Sequence, residues 1–200
     1  MCTRTYLIVG RVMRRELGLS FIELLMFIIV VGVCLAGVLT AINMGVHHSA
    51  DPMIRKQVLA AAESLLEEVE LQPFTYCDPR DSSASTATSS AVGATGCSAA
   101  GFSMDNTGNW GAGKTRYGPT FFDNVADYNN FSMAGTLNDI FQQSSSALAG
   151  YSASVTVTQV GAGFGLPNAN VLRVDVTVTG SGNNVTLTGF RFRHSPNLVD

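Results

Sequence analysis

The chain has 200 residues, enough for one domain with an appended segment, and is apolar for a soluble protein, at 46% hydrophobic and 14% charged residues. Its formal net charge is −3, and an acidic chain lacks the basic surface that neutralises phosphates, which argues against a nucleic-acid partner. The apolar excess is concentrated: from Leu24 to Ile42 there is no charged residue, a run of the length that crosses a hydrocarbon core.

Upstream of that run stand Arg4, Arg11, Arg14 and Arg15, opposed only by Glu16. Basic residues beside a span stay cytoplasmic, so the N-terminus is expected inside and everything after His47 outside, in a single pass. An ordinary secretory signal needs small residues beyond the apolar stretch, and His48 stands there instead. A lipoprotein signal would use Cys34, but Val33 precedes it. The remaining arrangement cuts before the apolar run, where the chain reads Arg14-Arg15-Glu16-Leu17-Gly18-Leu19-Ser20-Phe21-Ile22-Glu23.

This order of basic leader, Gly18, apolar first residue and Glu23 at the head of the span resembles the class III signal of type IV prepilins and pseudopilins. The departure is Leu19, where the family most often has Phe. The resemblance implies cleavage between Gly18 and Leu19 by a prepilin peptidase, N-methylation of Leu19, and a meeting of Glu23 with the freed amine of a neighbouring subunit. A carboxylate at a membrane edge is costly and marks function by default; the plainer alternative is that Glu23 snorkels to the headgroups. The expected organisation is a leader over 1–18, a membrane half-helix over 19–43, an exported half-helix over 44–72 and a head over 73–200.

Beyond the span, Ile54, Val58, Ala61, Leu65 and Val69 recur on one helical face, widened by Ala62 and Leu66. Arg55, Lys56, Glu63, Glu67 and Glu70 fall mostly off it. Pro73 ends the pattern, and Pro52 is expected to kink it near Gly45. Of the four cysteines, Cys2 lies in the leader and Cys34 in the span. Cys77 and Cys97 remain in the exported part, where oxidation is permitted, and a disulfide between them is expected; the alternative is two buried free thiols.

Residues 81–96 are nearly all Ser, Thr, Ala and Gly and read as a flexible low-complexity loop. Residues 98–150 read as mostly loop with short strands or turns. Strands are expected near 151–160, 171–179 and 185–193 from the alternation of Tyr151, Ala153, Val155 and Val157, then Leu172, Val174, Val176 and Val178, then Val185 and Leu187. Phe190 and Phe192 take the opposite phase to Val185 and Leu187, which predicts a bulge at Gly189. The fold class is α+β: a long N-terminal helix, its first half in membrane, packed on a C-terminal antiparallel meander, as in the type IV pilin fold.

The resemblance extends past the signal. His48 to Pro52, Ala62 to Val69, Pro73-Phe74, Cys77-Asp78-Pro79, Asp123 to Val125, Asp127 to Asn129, Gly150 to Val155 and Arg191 to Pro196 look like the minor pilins of mannose-sensitive haemagglutinin (MSHA) pili. It implies an exported structural subunit whose partners are the prepilin peptidase, other major and minor pilins, and the bacterial inner membrane before assembly. The head would be periplasmic, then at the cell surface, with no cofactor. A tip adhesin using the aromatics Phe102, Trp110, Tyr117, Phe121, Phe122, Tyr128 and Phe131, or a pseudopilin of a type II secretion system, is the alternative. An enzyme is not expected.

Several stretches resemble chemical motifs without completing them. Gly108 to Thr115 matches G-x-x-x-x-G-K-T, but no buried strand precedes it and Pro119 follows, so the phosphate cradle lacks its strand and helix. Gly161 to Gly165 reads as a turn between strands, not a dinucleotide site. His47, His48 and His194 form no metal-ligand spacing with a cysteine pair, and no G-x-S-x-G elbow occurs. Asp123, Asp127 and Asn129 carry oxygen ligands that suit calcium, but the preferred reading is a solvated turn, with no metal.

Overall fold

The structure is a computed structural model that describes residues 20–197, with the side chains of 45–51 outside the description. The chain forms two compact units, divided at Ser49–Ala50. In the first, helix α1 (Phe21–Glu70) begins. Its first bonds run from the Glu23 and Leu24 amides to the Ser20 carbonyl, at 2.9 and 3.1 Å. Ser20 and Glu23 stand three apart, the spacing of a capping box, and an acid in the first turn faces the positive end of the helix dipole. Phe21–Met44 is a stretch of 24 residues with mean hydropathy 2.8, none of it buried in the protein. Among the described residues, one helix is thus apolar enough to cross a membrane.

The second unit begins inside α1, which runs on through Pro52. The expected kink falls at residues 45–51, whose side chains lie outside the description. Val58, Ala62, Leu65 and Val69 are buried, and Ile54, Ala61 and Leu66 pack beside them, as the apolar face predicts. Six strands follow: β1 (Ser132–Met133), β2 (Thr136–Asn138), β3 (Ser144–Ala149), β4 (Tyr151–Gln159), β5 (Val171–Gly180) and β6 (Asn183–Phe192). The main sheet is antiparallel in the order β1-β4-β5-β6, and β2 pairs with β3 separately. The inward valines of β4 and β5 meet the helix face in one core, so the architecture is α+β.

The β5–β6 hairpin closes on Ser181 and Gly182, both at positive φ (47° and 83°), which matches the twist of a two-residue turn. The expected bulge at Gly189 is absent. Pairing runs unbroken from Gly180–Asn183 to Val171–Phe192, with Gly189 opposite Val174. The phase change has another cause: Gly189 takes the inward position because a Cβ there would lie 1.9 Å from Glu70 Oε1. Phe190 and Phe192 then face outward, edge-on to Phe164 at centroid distances of 5.6 and 5.2 Å.

Residues 81–96 are a chain of turns with their own packing. Ala84 and Ala87 are buried, Thr88 N–H donates to the Thr95 carbonyl at 2.8 Å, and Asp81 accepts the amides of Ser83 and Ser98 at 3.0 and 2.8 Å.

Candidate functional site

The residues singled out by the sequence fall in different places. Gly18 and Leu19 lie outside the described residues. Glu23 sits in the first turn of α1, among the exposed apolar side chains Phe21, Ile22 and Leu24. Cys77 and Cys97 are joined, with Cα atoms 5.5 Å apart. The bond is fully buried with Ala87, flanked by Tyr76 and Phe102. Cys34 is free and exposed.

The aromatic loop is mostly anchored. Trp110 is half-buried on the core, and its indole N–H donates to the Met104 carbonyl at 2.8 Å. Phe122, Tyr128 and Phe131 stack on one another, Phe122 to Tyr128 at 4.7 Å between centroids. Phe121 alone among the seven aromatics stands largely exposed, at 58%. Buried aromatic area of this kind stabilises the head and leaves little free stacking surface.

The densest chemistry in the head joins residues that the sequence marks only separately, Lys114 in the phosphate-like pattern and Asp123 and Asp127 as oxygen ligands. The stretch matching the phosphate pattern has no strand before it and no helix after it, yet its lysine is the centre of a charged cage. Lys114 is buried, its side chain 0% exposed, with Nζ 2.8 Å from Asp78 Oδ2 and 2.8 Å from Asp127 Oδ2, and in contact with Asp123 Oδ1. Asp78 is also held by Arg80, whose Nε and Nη2 donate to its two oxygens at 3.0 Å each. Asp127 Oδ2 accepts the amides of Asp123 and Asn124 at 3.1 and 3.0 Å, and its Oδ1 accepts the Gly111 amide at 3.0 Å.

The solvated turn expected at 123–129 is therefore buried: Val125, Ala126, Asp127 and Tyr128 form a buried 3-10 turn capped by Asn124. The turn is inside because it carries the counter-charges of Lys114. The calcium set does not converge either. The Asn129 side-chain oxygen accepts the Val157 amide at 3.0 Å, while Asp123 and Asp127 point at the ammonium, which stands where a cation would.

Charge distribution in the cage is uneven. Burial opposes ionisation of Asp78, but the Arg80 and Lys114 hydrogen bonds outweigh it and hold its carboxyl at about 2. Burial, with repulsion from Asp127, pushes Asp123 up to about 6 despite Lys114. Burial likewise opposes the charge on Lys114, yet the hydrogen bonds to Asp123, Asp127 and Asp78 keep the ammonium's pKa above its ordinary value. The sequence signals were an isolated lysine in a Gly- and Asn-rich stretch, an acid next to a structural cysteine, and two acids four residues apart.

A second buried pair ties the helix to the head. Arg116 reaches Glu68 of α1, and Tyr128 donates to the same carboxylate at 2.8 Å. Clefts of about 510 and 480 Å³ flank this pair, both lined in part by Ile140 and Phe141. Arg193, with its side chain 1% exposed, pairs with Asp105 at 2.7 Å and lies over the rings of Phe74 and Tyr76 at 4.4 and 5.1 Å.

In comparisons with known proteins, no family model, no curated protein and no solved structure matches this chain.

Proposed function

We propose that the chain is a type IV pilin-like structural subunit, resembling minor pilin D of the MSHA pilus, that is anchored in the inner membrane and enters a fibre through its apolar helix. The observation that carries this reading is the Phe21–Met44 stretch, apolar on every side, unburied in its own chain, and headed by Glu23 in its first turn. Such a helix needs lipid or other helices around it. A carboxylate at its head is retained at a cost unless a partner neutralises it, and the freed amine of an adjacent subunit has the right charge. The disulfide-bonded head suits an oxidising exterior. Anchoring of Trp110, Phe122 and Tyr128 favours a structural role over a tip adhesin, while a secretion pseudopilin shares every argument from the helix.

The test has two arms. Mass spectrometry of the purified protein should find a chain starting at Leu19 with a methylated amine; a start beyond Ala36 would overturn the reading. Glu23→Ala should remain exported and folded but be depleted from sheared fibres. Normal incorporation would leave Glu23 a headgroup contact only. Deletion of the whole protein separates the roles: fewer fibres for a structural subunit, normal fibres with lost attachment for an adhesin.

A further inference from the structure

An amine held out of water in contact with a carboxyl group, with a buried second acid beside both residues, has what amide formation requires. Lys114 and Asp123 meet these conditions. The Lys114 side chain is 0% exposed and contacts Asp123 Oδ1. Asp127, also 0% exposed at its side chain, lies 2.8 Å from the same nitrogen and accepts the Asp123 amide at 3.1 Å. We propose that Lys114 and Asp123 become joined by an intramolecular isopeptide bond, with Asp127 as the proton relay. The proposal stands apart from the fibre reading and holds whether or not the chain assembles.

The step balances without any added reagent. The Lys114 ammonium passes a proton to the Asp127 carboxylate, and the neutral Nζ attacks Cγ of the protonated Asp123 carboxyl group. The Cγ–N bond forms and a Cγ–O bond breaks. The departing hydroxyl takes the proton from Asp127 and leaves as water, and the nitrogen's second proton restores the acid that Asp123 first took up. One ammonium and one carboxylate are consumed, giving one amide and one water.

Three features of the cage favour this product. Burial already biases Asp123 toward its neutral, electrophilic form. Fixed contact replaces a bimolecular encounter, which is worth several orders of magnitude in effective concentration. Each acid left behind keeps hydrogen-bond donors, the Arg80 guanidinium for Asp78 and the amides of Gly111, Asp123 and Asn124 for Asp127, although Asp127 gives up its ammonium partner. The carboxylates around Lys114 oppose the step by favouring the ammonium. That slows it, but the reaction is needed only once per molecule.

Intact mass of the full chain in detergent, denatured and with its disulfide reduced, decides the matter. The expected mass is one water lighter than the processed sequence. Trypsin should then release a branched peptide joining residues 81–116 to 117–173, since an acylated Lys114 is not cleaved. Lys114→Arg keeps the positive charge but cannot form this bond, and should restore the full mass, as should Asp123→Ala. Wild-type protein of full mass, cut normally after Lys114, overturns the proposal. So does a branch mapped to Asp78 or Asp127 in place of Asp123.

Discussion

The guanidinium of Arg116 holds the carboxylate of Glu68 through two parallel hydrogen bonds, Nε to Oε1 at 2.7 Å and Nη2 to Oε2 at 2.6 Å. The two residues are 48 positions apart, so this fork fixes the last turns of α1 to the 115–122 turn. Arg116 also donates to the Asn138 carbonyl at 2.8 Å, which brings in β2. Burial works against the charge on Arg116, but Glu68 more than compensates and raises its pKa; burial and Glu68 together raise that of Tyr128. Glu68→Ala leaves a guanidinium 7% exposed at its side chain without its counter-charge. The expected loss is about 3 kcal/mol, read by denaturant unfolding of the full chain in detergent. Glu68→Gln keeps an acceptor for Tyr128 and should fall between. A loss under about 1 kcal/mol would mean the pair behaves as an exposed one.

How much of this was legible beforehand follows from what each signal depends on. The helix face and β4, β5 and β6 are periodic, so burial of Val58, Leu65, Val155 and Val176 could be read directly from spacing. Gly189 was misread because the sequence shows a change of phase but not its cause, the approach of Glu70 from another element. The cage was invisible for a related reason. Asp78, Lys114 and Asp123 lie in segments without periodicity, and only the fold brings them together. Asp127 was assigned to solvent because an acid in a polar stretch is exposed by default, and its burial depends on a lysine 13 residues away.

The glycines of the head make a graded test of close approach. At Gly161 a Cβ would lie 2.0 Å from the Pro167 carbonyl oxygen, which is backbone and cannot rotate away. At Gly189 the obstacle is the tip of Glu70, which can swing aside, with Leu66 Cδ1 next at 3.1 Å. Gly161→Ala should therefore cost about 3 kcal/mol, an overpacking penalty at the upper end of its usual range. Gly189→Ala should cost about 1 kcal/mol, and pairing it with Glu70→Ala should recover most of that. Equal losses at both sites, measured by thermal unfolding, would contradict the distinction between backbone and side-chain obstacles.

The Cys77–Cys97 bond closes a loop of 20 residues in sequence separation. Chain-entropy reasoning puts its contribution at roughly 3 kcal/mol. The loop's apolar packing is slight, chiefly Ala84 and Ala87, so once the bond is gone it is held mainly by turn hydrogen bonds such as Thr88 to Thr95 and Ser98 to Asp81. Cys77→Ser with Cys97→Ser should lose that amount and make 81–96 the first site of proteolysis. The core of Val58, Val155 and Val176 should stay protected from hydrogen exchange. Loss of protection there at the same rate as in 81–96 would show that the loop is part of the main cooperative unit.

Asp78 gives the head an acid-sensitive element with a defined window. Burial acts to raise its pKa, but the Arg80 fork and, while Lys114 keeps its ammonium, the Lys114 hydrogen bond hold it at about 2, against an ordinary 3.8. The folded value is depressed, so the contribution is fully present above the ordinary pKa and is lost as pH falls through the folded one. The window is therefore about pH 4 down to about 2, and the amount at stake is about 2 kcal/mol. Asp78→Asn removes the titrating group while keeping the shape of the side chain. Near neutrality the variant should be less stable by about that amount, because Arg80 loses its ionic partner. As pH drops from 4 to 2 the wild-type protein should lose stability faster, and the two curves should converge. Carboxylates away from the cage titrate alike in both proteins, so the difference curve reports Asp78 and the acids it touches. Curves that stay parallel across that range would show that Arg80 and Lys114 do not hold Asp78 ionised.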